Sequence, residues 1–186
     1  MRHCDHPSVD RSAARPRAKI DWCRLQFRRM NTSASLKLNE QLCFALYAAT
    51  NQIVRAYRSP LAAIGLTYPQ YLAMLVLWEH GDQTVRALSN QLALESSTLT
   101  PLLKRLEAAG LVSRQRSSSD ERVVRVSLTP AGLSLRRPAV EIQRVVACKT
   151  RLPNSRFERL RKELHDLAIT MAAAQESQAD ATKARC

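Results

Sequence analysis

The sequence predicts a mainly α-helical chain with one small β-hairpin, an α+β fold, on three observations. Apolar residues recur at spacings of three and four at Leu42, Leu46, Ala49, Ile53 and Tyr57, and again at Leu160, Leu164, Leu167 and Met171; that period places each set on one face of a helix. Two short helical patterns, 84–94 (TVRALSNQLAL) and 98–106 (TLTPLLKRL), are separated only by Glu95, Ser96 and Ser97, a polar trio that supplies a helix cap. Two β-prone runs, 111–116 and 123–128, flank the hexapeptide Ser117-Ser118-Ser119-Asp120-Glu121-Arg122, a hairpin tip too polar for a core. Helix, turn, helix and hairpin in that order describe a winged helix-turn-helix.

The first 29 residues hold eight basic residues against three acidic ones, with no helical or strand period, so 1–30 is expected to be a disordered basic tail. Met30 is followed directly by patterned sequence, which leaves the tail either an accessory arm or an upstream extension of the reading frame. A winged-helix domain is expected over 31–176, with dimerisation helices at both ends, and a disordered tail over 177–186. The first periodic stripe predicts one amphipathic helix over 38–58, closed by Pro60, and sets Cys43 and Tyr47, four residues apart, on one face. A second helix is predicted over 68–80, with Pro69 in its first turn, Gly81 past its end, and Leu72, Leu75, Val76 and Trp78 packed inward.

Pro101 belongs near a helix start, where its missing N–H lacks an intrahelical partner, so 96–100 mark the N-terminal end of the second helix of the pair; Gly110 closes it. After the hairpin, Thr129 caps and Pro130 opens a helix running towards Lys149. A kink or break is expected near Arg137, because Pro138 removes a donor and clashes with the preceding turn. Ser155 and Glu158 have capping-box spacing at the start of the last helix. Its apolar stripe requires a partner helix, and a homodimer satisfies it while matching the twofold symmetry of a palindromic operator.

Composition bounds the function. A formal net charge of +13 favours a polyanionic partner, and double-stranded DNA suits a winged helix better than an anionic membrane does. No stretch approaches the roughly 18 apolar residues of a membrane span and no signal-peptide core is present, so a cytoplasmic protein without a membrane partner is expected. Five cysteines (Cys4, Cys23, Cys43, Cys148 and Cys186), an odd number without CxxC spacing, indicate neither a zinc site nor a secreted disulfide framework. His3, Cys4 and His6 lack a fourth ligand, so no metal is expected, nor any cofactor.

DNA contacts are expected from Ser96, Ser97, Thr98, Thr100, Pro101, Lys104 and Arg105, whose helix start enters the major groove. The wing tip adds Asp120 and Arg122, the arginine reaching the flanking minor groove. Lys104, Arg105, Arg114, Arg116, Arg122 and Arg125 form either a solvated basic face or a phosphate-facing one. The four hydroxyls serve as caps, as contacts, or as both.

Cys43 brings a second chemistry, since a thiolate in a regulator can be oxidised reversibly. The segments LNEQLCFALYAA, TYPQYLAMLVLWEHG and SSTLTPLLKRLEAAGLVSRQRSSSDERVVRVSLTPAG resemble the organic-hydroperoxide-resistance regulators (OhrR type) of the MarR family, over roughly 38–171. The winged-helix portion with DERVV is typical of MarR-type regulators at large; QLCFALY and TYPQYL are specific to the hydroperoxide sensors. The resemblance implies a MarR-like dimeric repressor, with Cys43 as the peroxidatic cysteine that takes up an organic hydroperoxide, the inducer, as a sulfenic acid. It implies that Tyr57 and Tyr68 hydrogen-bond the reactive sulfur across the dimer with Tyr47 beside it, and phenolic donors do stabilise a thiolate. Phe44, Leu46 and Trp78 around the thiol would favour hydroperoxides with apolar tails.

Cys148 matches the resolving cysteine of the two-cysteine members, which belongs to the opposite subunit; read only from its neighbours Val145, Val146 and Ala147, it is a buried structural thiol instead. Cys4, Cys23 and Cys186 have no counterpart in the family and read as bystanders. The sequence departs from the family pattern at Glu95, where aspartate is more usual, and Pro138 lies on the helix that carries Cys148. Two other functions fit parts of the chain: a MarR-type regulator of a small phenolic ligand with Cys43 incidental, and a thiol peroxidase, which has no need of a basic winged helix.

Overall fold

The computed structural model describes residues 36–116 and 123–183, with side chains up to residue 175. Asp120 and Arg122 of the wing tip, both tails' cysteines (Cys4, Cys23 and Cys186), and His3 and His6 lie outside the described residues. Two units divide the chain, Met1–Ala48 and Ala49–Cys186.

In the first unit a 3-10 turn (Leu38–Glu40) precedes the start of helix α1 (Leu42–Ala62). The one helix expected from residue 38 is therefore divided by Gln41, whose extended backbone (φ −89°, ψ 123°) separates turn from helix. At its other end, in the second unit, α1 runs through Pro60 rather than stopping there. It closes at Gly65 (φ 74°), where the Leu66 N–H donates back to the Leu61 carbonyl at 3.0 Å. Leu61 and Leu66 are both buried, and their burial holds the last turn while Pro60 forfeits one backbone bond.

Helix α2 (Tyr68–His80) has the expected bounds, with Pro69 in its first turn and Gly81 at φ 71° after its end. Gln70 Oε1 accepts from the Thr67 N–H at 2.8 Å, half of a capping box. Tyr71, Ala73, Met74, Val76, Leu77 and Trp78 are buried, whereas Leu72 and Leu75, expected inside, are half-buried. A helix buried nearly all round is a central one.

The strand β1 (Gln83–Thr84) is an addition to the expected hairpin. It pairs antiparallel with β3 (Val124–Leu128), which also pairs antiparallel with β2 (Val112–Arg116), in the order β1-β3-β2. Thr84 doubles as the cap of α3 (Val85–Leu92), its hydroxyl accepting from the Ala87 N–H at 3.1 Å. The turn of the helix-turn-helix is then made by Ala93 in left-handed conformation (φ 50°), with the Leu94 N–H donating to the Ser89 carbonyl at 3.1 Å.

Helix α4 (Ser96–Ala108) starts where the Glu95 carbonyl accepts from the Thr98 and Leu99 N–H groups, each at 3.0 Å. Glu95 thus caps through its backbone and makes no side-chain cap bond. Pro101 is one turn inside the helix, not at its orphan end. The buried Leu99, Leu102, Leu103 and Leu106 hold that turn, at the loss of the donor to the Ser97 carbonyl.

After β3, the helix expected to kink near Arg137 is broken at Leu135 into α5 (Pro130–Ser134) and α6 (Arg136–Lys149). Pro138 is the third residue of α6, a position whose N–H would have no intrahelical acceptor, so it opens a helix rather than bending one. The last helix, α7 (Asn154–Lys183), begins one residue before Ser155. The Pro153 carbonyl accepts from the Arg156 and Phe157 N–H groups, and Glu158 accepts from Asn154 Nδ2 at 3.2 Å, in place of a box with Ser155.

The core of the second unit joins Met74 and Leu77 of α2, Leu88 of α3, Leu103 and Leu106 of α4, and Val126 of β3. The fold is the predicted one: mainly α, with a winged helix-turn-helix. No helix among the described residues is long and apolar enough to cross a membrane.

Candidate functional site

Helix α4 turns one face to the core and the rest outward. Between the buried leucines, Ser96, Ser97, Thr98, Thr100, Pro101, Lys104 and Arg105 are all exposed. The Thr100 hydroxyl donates to the Ser96 carbonyl at 2.8 Å, so its proton is committed within the helix and only its oxygen faces out. Among the described residues neither Lys104 nor Arg105 has an acidic partner. Arg114 differs. Its backbone N–H donates to Glu107 Oε1 at 3.1 Å and its guanidinium Nε lies 3.7 Å from Glu107 Oε2, which ties the wing strand β2 to the last turn of α4.

The junction between α4, the wing and α5 is built around Thr129. Its hydroxyl donates to the Gly110 carbonyl at 2.6 Å and accepts from the Gly132 N–H at 3.0 Å, while its N–H donates to the Leu111 carbonyl at 3.1 Å. One threonine so joins the end of α4, the exit of the wing and the start of α5. Gly132 packs there so closely that a Cβ would lie 2.0 Å from the Leu111 carbonyl oxygen. Trp78 of α2, buried in the core, donates its indole N–H to the Gly132 carbonyl at 3.0 Å.

Cys43 and Cys148 are free, exposed thiols. In the single chain Cys148 is exposed, and the buried side chain of this stretch of α6 is Val146. In the first unit Cys43 is followed one helical turn later by Tyr47, also exposed (65%), with exposed Leu38 and Leu42 beside them in sequence. Along α6 and α7, Val140, Val145, Leu160, Leu164, Ile169 and Met171 are exposed apolar residues.

Tyr57 and Tyr68 meet within the second unit. Their ring centroids lie 5.3 Å apart, and Tyr71, which lies within the TYPQYL segment but takes no role from the sequence, completes the group at 5.5 Å from Tyr57 and 6.3 Å from Tyr68. Burial raises the pKa of all three above the ordinary tyrosine value. At Tyr57 burial is the larger cause and the neighbouring Tyr68 hydroxyl adds to the rise. The spacing of three between Tyr68 and Tyr71 on one helix is the available signal for this group, since such residues share a face.

Fold and outward-facing α4 define a winged-helix transcriptional regulator of MarR type. Comparison with known proteins bears on which one. A family model described as transcriptional regulator SarA/Rot matches residues 55–136. The chain is 43% identical over 136 residues to the organic hydroperoxide resistance transcriptional regulator of Bacillus subtilis (strain 168), covering 73% of this chain and 92% of that protein. Among solved structures it is similar to AbfR, a protein of Staphylococcus epidermidis. Reduced AbfR bound to DNA matches with a TM-score of 0.62 and 33% identity, over 81% of this chain and 99% of that one. Disulfide-formed AbfR matches with a TM-score of 0.54 and 32% identity, over 84% and 99%.

The chain belongs to the organic hydroperoxide resistance regulators of the MarR family. It is a transcriptional regulator.

Proposed function

We propose that the protein is a homodimeric repressor that leaves a palindromic operator when Cys43 is oxidised by an organic hydroperoxide. The observation that carries the reading is the exposed Cys43 thiol one turn from Tyr47, in a chain of this family. The Cys43 thiolate attacks the terminal, hydrogen-bearing oxygen of the hydroperoxide, the O–O bond breaks, the alkoxide takes up a proton and leaves as the alcohol, and the sulfur becomes a sulfenic acid. Tyr57 and Tyr68 of one subunit donate hydrogen bonds to the Cys43 sulfur of the other, with Tyr47 nearby. The thiolate of Cys148 in the opposite subunit then displaces hydroxide from the sulfenic sulfur, forming a disulfide and, with a proton, water. The exposed apolar residues of α6 and α7 supply the dimer interface.

In the reduced dimer, two copies of α4 occupy successive major grooves about 34–36 Å apart. Ser96, Ser97, Thr98, Thr100, Pro101, Lys104 and Arg105 face the duplex, and Asp120 and Arg122 belong to the wing. The domain limits, 1–30, 31–176 and 177–186, and a cytoplasmic location go with this reading. The reduced form of AbfR is bound to DNA and another form carries a disulfide, the same two states this switch requires.

The test is release of operator DNA by cumene hydroperoxide. Wild type is expected to release it and Cys43→Ser to stay bound. If Cys43→Ser releases DNA with salicylate-like phenols and wild type ignores the hydroperoxide, the phenolic-ligand reading replaces this one.

A further inference from the structure

Between Glu40 and Glu79 the sequence has no acidic residue, and its only charged side chains there are Arg55 and Arg58. Three residues apart on α1, the two share one face of the helix, and both are exposed. Among the described residues neither is in an ion pair. Like charges side by side on a helix repel each other, and an anion held between them relieves that repulsion.

Both arginines line a cleft of about 590 Å³ between α1 and the start of α2, a volume that suits a small-molecule site. Val54 of α1, the buried Leu66 and Pro69 give the cleft apolar walls, and the half-buried Tyr68 is a further wall. Apolar walls with two guanidinium groups fit an amphiphile, its alkyl chain along the walls and its acid head on the planar forks, which bind carboxylate oxygens in pairs. Tyr68 belongs both to this cleft and to the tyrosines assigned above to the reactive sulfur, so a ligand held here lies beside the redox site.

We propose that this cleft selects hydroperoxides that carry a carboxylate on an alkyl chain, with Arg55 and Arg58 holding the acid and Val54, Leu66 and Pro69 the chain. The proposal rests on the reading that Tyr68 serves the Cys43 sulfur of the opposite subunit. The arginines determine specificity and take no part in the chemistry: they hold the end of the oxidant remote from its O–O bond, and the reaction at sulfur is the one given above. A neutral ester of the same chain keeps the apolar contacts and loses the charged one, so the discrimination is by charge.

The experiment uses the full-length dimer carrying Cys148→Ser, so that oxidation stops at the sulfenic acid, with dimedone as trap. The two oxidants differ only in charge: linoleic acid hydroperoxide and its methyl ester, both kept below their micellar concentrations. At subsaturating oxidant, trapping is expected to be about tenfold faster with the acid than with the ester, the worth of a charge-assisted hydrogen-bonded contact. The difference should lie in the half-saturating concentration and not in the limiting rate, because the contact is made equally before and during reaction. Arg55→Gln and Arg58→Gln are each expected to narrow the ratio and together to abolish it, whereas Arg55→Lys with Arg58→Lys, which keeps the charge but not the fork, should leave an intermediate one. Apart from oxidation, the hydroxy acid formed from linoleic acid hydroperoxide is expected to bind the Cys43→Ser dimer in a calorimeter, and about tenfold more weakly once both arginines are replaced by glutamine. If acid and ester oxidise Cys43 at equal rates, or if the double glutamine variant keeps the ratio and loses only operator affinity, the cleft is not a carboxylate site and the reading of Cys43 stands. If neither oxidant gives trapped sulfenic acid, that underlying reading falls, and the proposal with it.

Discussion

The Trp78 indole N–H and the Gly132 carbonyl, 54 residues apart in sequence, meet in a buried hydrogen bond of 3.0 Å. The bond fastens the central helix α2 to the turn where the wing returns to the helical body. Trp78→Phe removes the donor and part of the ring, leaving a buried carbonyl unpaired; a loss of about 2–4 kcal/mol in urea unfolding is expected. A loss below about 1 kcal/mol would mean that the bond is not made in solution.

Gly132 also admits no side chain. A Cβ there would be 2.0 Å from one backbone oxygen and 3.3 Å from the Leu128 Cδ2, and backbone cannot swing aside as a side-chain tip can. Gly132→Ala is therefore expected to cost about 3 kcal/mol or more, the upper end of overpacking. Gly81→Ala meets open space, but φ 71° and ψ −144° lie in a region that essentially only glycine adopts, and that conformation should cost about 1–3 kcal/mol. Thermal unfolding of the two variants checks the order, and equal shifts would contradict it.

The basic face divides into a structural and a binding part. Glu107 holds Arg114, whereas Lys104 and Arg105 are exposed on α4. Replacing Lys104 or Arg105 with alanine should weaken operator binding and reduce the log–log salt slope by about 0.9 for each phosphate that is no longer neutralised. Arg114→Ala keeps the backbone bond to Glu107 and removes only the 3.7 Å ion pair, so it should leave the slope unchanged and lower stability by about 0–1 kcal/mol. Salt titrations of binding distinguish them, and a smaller slope in Arg114→Ala would move that residue into the interface.

The tyrosine triangle gives a signed pH dependence. Burial raises Tyr57, Tyr68 and Tyr71 above the ordinary value of 10.0, so above that pH the folded state holds more protons than the unfolded one. Stability from this source is fully present below pH 10.0 and is lost as pH rises through the raised values. Stability curves of wild type should therefore fall more steeply above about pH 10 than those of Tyr71→Phe. Parallel curves would show that Tyr71 does not titrate differently in the two states.

Much of this architecture is legible in the sequence, and the exceptions share a cause. Caps and periods place α2, α4 and the wing strands within a residue or two, because local chemistry decides those boundaries. Pro60 and Pro101 read as ends under the local rule, yet Leu61, Leu66 and the α4 leucines are buried by contacts distant in sequence, and that packing overrides one missing backbone bond. The two-residue β1 is too short to carry a period. Cys43, Tyr57 and Tyr68 stand out through family resemblance and Tyr71 only through its spacing of three from Tyr68, whereas the closeness of Gly132 to Leu111 depends on tertiary approach that no spacing reveals. The exposure of Cys148 runs against what its apolar neighbours suggest, because α6 buries Val146 and turns Cys148, two residues on, outward.

The central claim is a thiol switch joining Cys43 of one subunit to Cys148 of the other, and a non-reducing gel after organic hydroperoxide treatment tests it most directly. Wild type is expected to give a band of twice the monomer mass that dithiothreitol returns to monomer with recovery of DNA binding, and both Cys43→Ser and Cys148→Ser are expected to give none. A band of that mass in Cys148→Ser, or DNA release by hydroperoxide in Cys43→Ser, would contradict the account.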